Sequence, residues 1–197
     1  MNVSRIGLGL LVLAALALHA WSMGQPNLPH MLWSCHVASA VLAIGLLLNR
    51  ITLVAAGFLF HLAIGFPAWL IEVVVSRGTF GASAVTPRVL ATSILVHSLP
   101  LIAGALYLRR RPIPAASLAL AWLLQIAMVP VSRWTAPPEF NVNLAHSVWR
   151  PIAGTSMNWW FFQIVVYVVT LASLLLIRAV WNGFVPSKRR GFEQSLV

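Results

Sequence analysis

Apolar residues run almost unbroken through six stretches of the chain, at about 6–22, 30–48, 51–75, 88–108, 114–131 and 157–181. A helix needs about 20 apolar residues to cross roughly 30 Å of hydrocarbon, and each run is close to that length. A membrane barrel would instead show alternating segments of about ten residues. The pattern therefore predicts an all-α fold, a polytopic membrane bundle of six transmembrane helices forming one domain over residues 1–197.

Polar residues concentrate in two connections, SRGTFGASAVTPR and the longer SRWTAPPEFNVNLAHSVWRPIAGTS at 132–156. The second is too polar and proline-interrupted to span, yet too aromatic for a free linker, so it is expected to lie over the mouth of the bundle. The first run, RIGLGLLVLAALALHAW, has the basic flank and short apolar core of a leader. Leu18 stands where a cleavage site prefers a small residue, which favours a retained helix.

Composition supports a membrane class: 60% of residues are apolar, 8% are charged and the mean hydropathy is +0.88. The net charge of +10 would suit nucleic acid if it lay along one polar face. Instead the thirteen Arg and Lys flank the apolar runs, so they read as topology signals and headgroup contacts, and no nucleic-acid partner is expected. Six spans put both termini on one side. Arg5, Arg50, Arg109, Arg110, Arg111, Arg178, Lys188, Arg189 and Arg190 fall on that side, against Arg77, Arg88, Arg133 and Arg150 on the other. The positive-inside rule then predicts cytoplasmic termini and a plasma or inner membrane location. The single cysteine excludes an internal disulfide and leaves Cys35 a free thiol.

Ionisable residues inside spans are functional candidates, because inserting them costs a few kcal/mol. Here they are His36, His61, Glu72 and His97. At about 1.5 Å per residue, Cys35 lies about 7 Å below the outer surface, Glu72 about 6 Å and His97 about 13 Å, so these three can meet. His61, about 20 Å in, is expected to serve packing or a deeper hydrogen bond. Cys–His chemistry needs a base that generates the thiolate and often a third group that fixes the imidazole. Cys35, His97 and Glu72 supply nucleophile, base and orienter. The bland alternative is a small apolar filler and histidines bonded between helices. Three histidines on three helices could also hold haem or a metal, although no His pair at i, i+4 and no HExxH pattern is present, and no cofactor or metal is expected. A transport path would use the same residues, without the inverted repeats that usually accompany one.

The segments LPHMLWSCHVASAVLAIGLLL, TSILVHSLPLIAGALYL, FNVNLAHSVWRP and SMNWWFFQIVVYVVTL, over residues 28–175, resemble in order and character the YwaF-like bacterial integral membrane family. That family is similar to a mammalian transmembrane acyltransferase acting on phospholipids. The resemblance rests on Leu28, Pro29 and Cys35, on His97, and on Asn141 and Asn143. It departs at VHSLP, with Ser98 after the histidine and Ser93 one turn before, at LAHS, which brings in His146, and at His36 beside Cys35. It implies a Cys–His acyl-transfer site working on membrane phospholipids. In that scheme Asn141 and Asn143 donate to an oxyanion, and His146, His36 and Ser93 line the substrate site. Arg88, Arg133 or Arg150 holds phosphate, and Trp149, Trp159 and Trp160 fix the loop at headgroup depth. Both asparagines could equally form Asx-turns, and the arginines could be plain interfacial anchors.

Overall fold

A computed structural model describes residues 4–75, 79–80, 83–84, 86–148 and 157–185. The apolar runs fold as α1 (Arg5–Met23), α2 (Ser34–Leu48), α3 (Ile51–Phe60), α4 (Phe66–Val75), α5 (Pro87–Leu108), α6 (Ala115–Thr135) and α7 (Trp159–Phe184). A single π-helical stretch, His61–Gly65, joins α3 to α4. Among the described residues, five helices are long and apolar enough to cross a membrane, or six if one bent pair counts as a span, as in a multi-pass helical bundle. Large apolar side chains such as Leu10, Leu123, Ile164, Val168 and Leu176 stand exposed on its outside, where lipid would cover them.

The second expected span departs from the pattern. Its α-helix begins at Ser34, not at residue 30, and a 3-10 segment, Gln25–Leu32, meets it at 72°. Pro26 and Pro29 cannot donate backbone hydrogen bonds to a regular helix, and Gly24 at φ 74° turns the chain out of α1. At its other end the chain reverses within two residues. Asn49 takes the left-handed conformation at φ 56°, and Arg50 N donates to Gly45 O at 2.8 Å. Two short antiparallel strands, Thr79–Phe80 and Ser83–Ala84, sit in the connection after α4, where the sequence pattern gave only a loop. The last turn of α6 also runs to Thr135, four residues beyond the apolar run.

The α2–α3 hairpin is the centre of the bundle. α1 packs on α2 and α5, α6 on α3, and α7 on α6. Leu42, Leu46, Val54, Leu59 and Phe60 are fully buried along this hairpin. Close approach depends on small residues: a Cβ at Gly57 would lie 2.5 Å from Ala38 O and 2.7 Å from Leu42 Cβ. Hydrogen bonds tie the bundle's two chain ends to one face. Arg5 donates to Leu46 O and Leu47 O, completing the end of α2, and Arg178 Nε donates to Ile113 O in the turn after α5. Tyr107 bonds Asn49 between those two turns. The start of α1 and the end of α7 therefore share one end of the bundle.

Gly57→Ala is expected to destabilise the protein by about 1–3 kcal/mol through overpacking against the α2 backbone. Gly183→Ala, where an added methyl meets nothing within 4 Å, should be neutral or slightly stabilising. Thermal unfolding in detergent distinguishes the pair.

Candidate functional site

At the opposite end of the bundle, the first turn of α2 is capped from far along the chain. Ser34 N donates to Asn143 Oδ1 at 2.7 Å, and Ser34 Oγ donates to the same oxygen at 2.7 Å. The amide nitrogen of Asn143 donates to Leu32 O at 2.8 Å and to Ser132 Oγ at 2.7 Å. One buried side chain thus joins the 138–148 loop, the 3-10 segment, α2 and α6. The loop is shaped for it: Asn141 and Asn143 both have positive φ, 44° and 54°, a conformation asparagine tolerates better than most residues. Leu144, at φ 54°, is held by its carbonyl, which accepts from Trp159 Nε1 and Gln163 Nε2. The expected loop over the mouth is present.

Cys35 and His36 follow in that same first turn. Although their side chains diverge by about 100° on a helix, α2 is surrounded, so both reach neighbours. A donor atom of Cys35, one of His36 and one of His97 lie within 4.8 Å of one another. The ring of His36 sits between those of His19 on α1 and His97 on α5, at centroid distances of 5.2 and 5.6 Å. His61 joins the group, its ring 6.3 Å from that of His97. All four imidazoles are buried.

Each ring is oriented by a bond away from the cluster. His97 Nδ1 is 2.8 Å from Ser93 O, and because a carbonyl only accepts, Nδ1 carries the proton and Nε2 keeps a lone pair. The same reasoning applies to His36 Nδ1, 3.0 Å from His30 O. His61 Nε2 meets Ser39 Oγ at 2.7 Å, and the same hydroxyl lies 3.0 Å from Cys35 O. With the Ser39 proton on Cys35 O the ring donates through Nε2; with it on the ring, Nε2 accepts. On its far side the His97 ring stacks on Trp69 at 4.9 Å and 15°, and Trp69 Nε1 donates to Ser93 Oγ at 2.8 Å.

Beside the cluster lies a cavity of about 500 Å³, whose apolar wall comes chiefly from α4 and α7. That is within the size range of sites for small organic ligands. Cys35, His36, His97, Ser93, Glu72 and Gln125 all border it.

Several expected roles shift. The hydrogen bond that fixes the His97 ring through Nδ1 comes from Ser93 O, a residue one helical turn away, rather than from Glu72, which borders the cavity one turn beyond Trp69. Asn143 borders the cavity too, but both protons of its amide are committed to Leu32 O and Ser132 Oγ, which leaves it as the fastening of the loop rather than an oxyanion donor. Asn141 Oδ1 accepts from His146 N and Ser147 N, an Asx-type turn, and His146 Nε2 meets Ala136 O at 3.3 Å. Those two residues shape the loop. Arg88 bonds Ser22 O and lies over Trp21, and Arg133 bonds Ala145 O beside Trp159, so both are anchors between elements. Arg77, Trp149 and Arg150 lie outside the described residues.

His61 makes the deeper hydrogen bond expected of it, to Ser39 Oγ at 2.7 Å. It lies about 21 Å from the end of α4 and His97 about 15 Å from the start of α5, at 1.5 Å per residue, and across that difference the rings are still only 6.3 Å apart, so His61 adjoins the cluster as well. Two further members carry no signal in residue spacing. Gln125, uncharged, sits in the sixth helix with Ser34 Oγ 3.4 Å from its Oε1. His19 on α1 was open to the rule used for the other histidines, and its Nδ1 meets Thr92 Oγ1 at 2.9 Å.

Compared with protein-family models, curated proteins and solved structures, the chain matches none.

Asn143→Gly retains the left-handed backbone and removes only the amide. It should cost about 1–3 kcal/mol for each buried partner left unpaired and raise hydrogen exchange at Ser34 N. Asn141→Gly, which loses bonds at the surface, should change stability little.

Proposed function

We propose that the chain is a transacylase of a bacterial plasma or inner membrane, with cytoplasmic termini, that moves acyl chains between phospholipids through a thioester on Cys35. The observation that carries this reading is the meeting of Cys35 and His97 at the wall of an apolar cavity. The start of α2 adds partial positive charge beside the sulfur, where negative charge develops.

In the first half-reaction the Cys35 proton passes to His97 Nε2 as the sulfur attacks the carbonyl carbon of a lipid ester. Moving proton and electron pair together avoids separating charge in a dry site. The ester C–O bond breaks, His97 returns the proton to the departing lysolipid oxygen, and the acyl group remains as a thioester. In the second, His97 takes the proton of another lipid's hydroxyl, whose oxygen attacks the thioester, and the thiol leaves reprotonated. Ser93 and Trp69 hold the base in place throughout. Gln125 is the amide at this wall not used to fasten the loop, and it is suited to meet the oxyanion.

The test is acyl exchange between labelled phospholipids in vesicles containing the purified protein. Cys35→Ser should reduce exchange to background and His97→Ala by about 10²–10⁴-fold, the usual worth of a positioned base, with thermal stability little changed. Full activity in both variants would end the enzyme reading.

A further inference from the structure

The histidine cluster has more lone pairs than donors. With His36 and His97 each protonated on Nδ1, two bare ring nitrogens remain, His36 Nε2 and His97 Nε2, and His61 Nδ1 is a third when Ser39 gives its proton to Cys35 O. Among the described residues, His36 Nε2 and His61 Nδ1 have no hydrogen-bond partner. Their side chains are 6% and 0% exposed, so bulk solvent does not reach them. The Cys35 S–H can satisfy one nitrogen at most. Protonating the rings instead would gather several positive charges in a buried site. Leaving buried acceptors unsatisfied is costly and calls for an explanation.

One cation would satisfy the two Nε2 atoms. We propose that Cys35, His36 and His97 form a binding site for a thiophilic d¹⁰ cation, Zn²⁺ or Cu⁺. Their donor atoms lie within 4.8 Å of one another. Around a tetrahedral metal with bonds of about 2.0–2.3 Å they would be about 3.5 Å apart, a contraction that small side-chain rotations supply. His61 Nδ1 lies beside this group rather than in it: a methyl group added at Gly65 would lie 3.0 Å from it and 3.2 Å from Cys35 Cβ. His61 opens the π-helical turn His61–Gly65, a kind of turn frequently placed at functional sites.

The outer bonds fit as well. Histidine ligands of metals nearly always donate their second ring nitrogen to a carbonyl or another oxygen, as His30 O and Ser93 O accept here. One thiolate and two imidazoles suit Zn²⁺ and Cu⁺, whereas Mg²⁺ and Ca²⁺ call for oxygen ligands. This inference goes beyond acyl transfer and stands without it. A cation and an acyl group would compete for one sulfur.

The experiment uses full-length protein in detergent, stripped with a chelator and then titrated with Zn²⁺ or, anaerobically, with Cu⁺ buffered by a chromophoric competitor. Metal retained after desalting is measured by elemental analysis. One equivalent of either ion per chain is expected. His36→Ala and Cys35→Ser should each weaken binding at least tenfold, while His146→Ala should not. A second readout needs no substitution: bound metal should slow alkylation of Cys35, the sole thiol, in the wild-type protein. No retained metal together with unchanged alkylation would overturn the proposal, as would equal binding by wild type and Cys35→Ser. None of these readouts depends on acyl transfer.

Discussion

A serine hydroxyl and an imidazole, buried where α2 meets the turn after α3, govern the arrangement of the rest. Ser39 Oγ bonds His61 Nε2 at 2.7 Å and Cys35 O at 3.0 Å, with both residues fully buried. In an apolar interior neither polar group can turn to water, so the pair fixes the register of the two central helices. The π-helical turn follows from the same demand. An extra residue at His61–Gly65 lets α3 keep its glycine contacts with α2 while the imidazole still finds its partner. With α2 placed, Cys35 and His36 point toward α1, α5 and the cavity.

The second constraint is the helix end. A helix beginning inside a bundle leaves its first N–H groups without partners, and the proline-bearing 3-10 segment before α2 supplies none. Asn143 meets this need across more than a hundred residues and in doing so fastens the loop across the mouth. The loop backbone pays for the contact with three positive φ angles, two of them at asparagine. Closure of the mouth and placement of Cys35 are therefore one event. A change that frees the loop also disturbs the first turn of α2.

Much of the bundle could be read from hydropathy, because hydrocarbon imposes length and continuity on any spanning helix. Helix ends moved by at most four residues, and before α2 Pro29 within an apolar run marked a bend that hydropathy does not register. Among the site residues, the meeting of Cys35 with His97 was legible from depth along two helices, and the loop's position from its composition. Depth counting assigned His61 to a deeper hydrogen bond, which it makes with Ser39, but did not show that an imidazole one turn deeper still adjoins the ring of His97. The roles of Glu72, Asn141 and Asn143 were assigned by type, and type does not say which bonds a side chain has already made. Ser93 illustrates the gap: its backbone oxygen, not its hydroxyl, orients the catalytic base in the proposed mechanism.

Cys35 stands between two chemistries, a nucleophile against His97 or a ligand beside two imidazoles. The surroundings serve both, since each needs a dry pocket, fixed rings and a sulfur that loses its proton. The acyl-transfer account makes the sharper claim, a covalent intermediate on one named atom. Mass spectrometry of metal-free protein quenched during turnover with a phospholipid tests it most directly. The account predicts a single acyl mass on the peptide containing Cys35, removed by neutral hydroxylamine as a thioester is. An unmodified Cys35 peptide, in protein that is exchanging acyl chains, would contradict it.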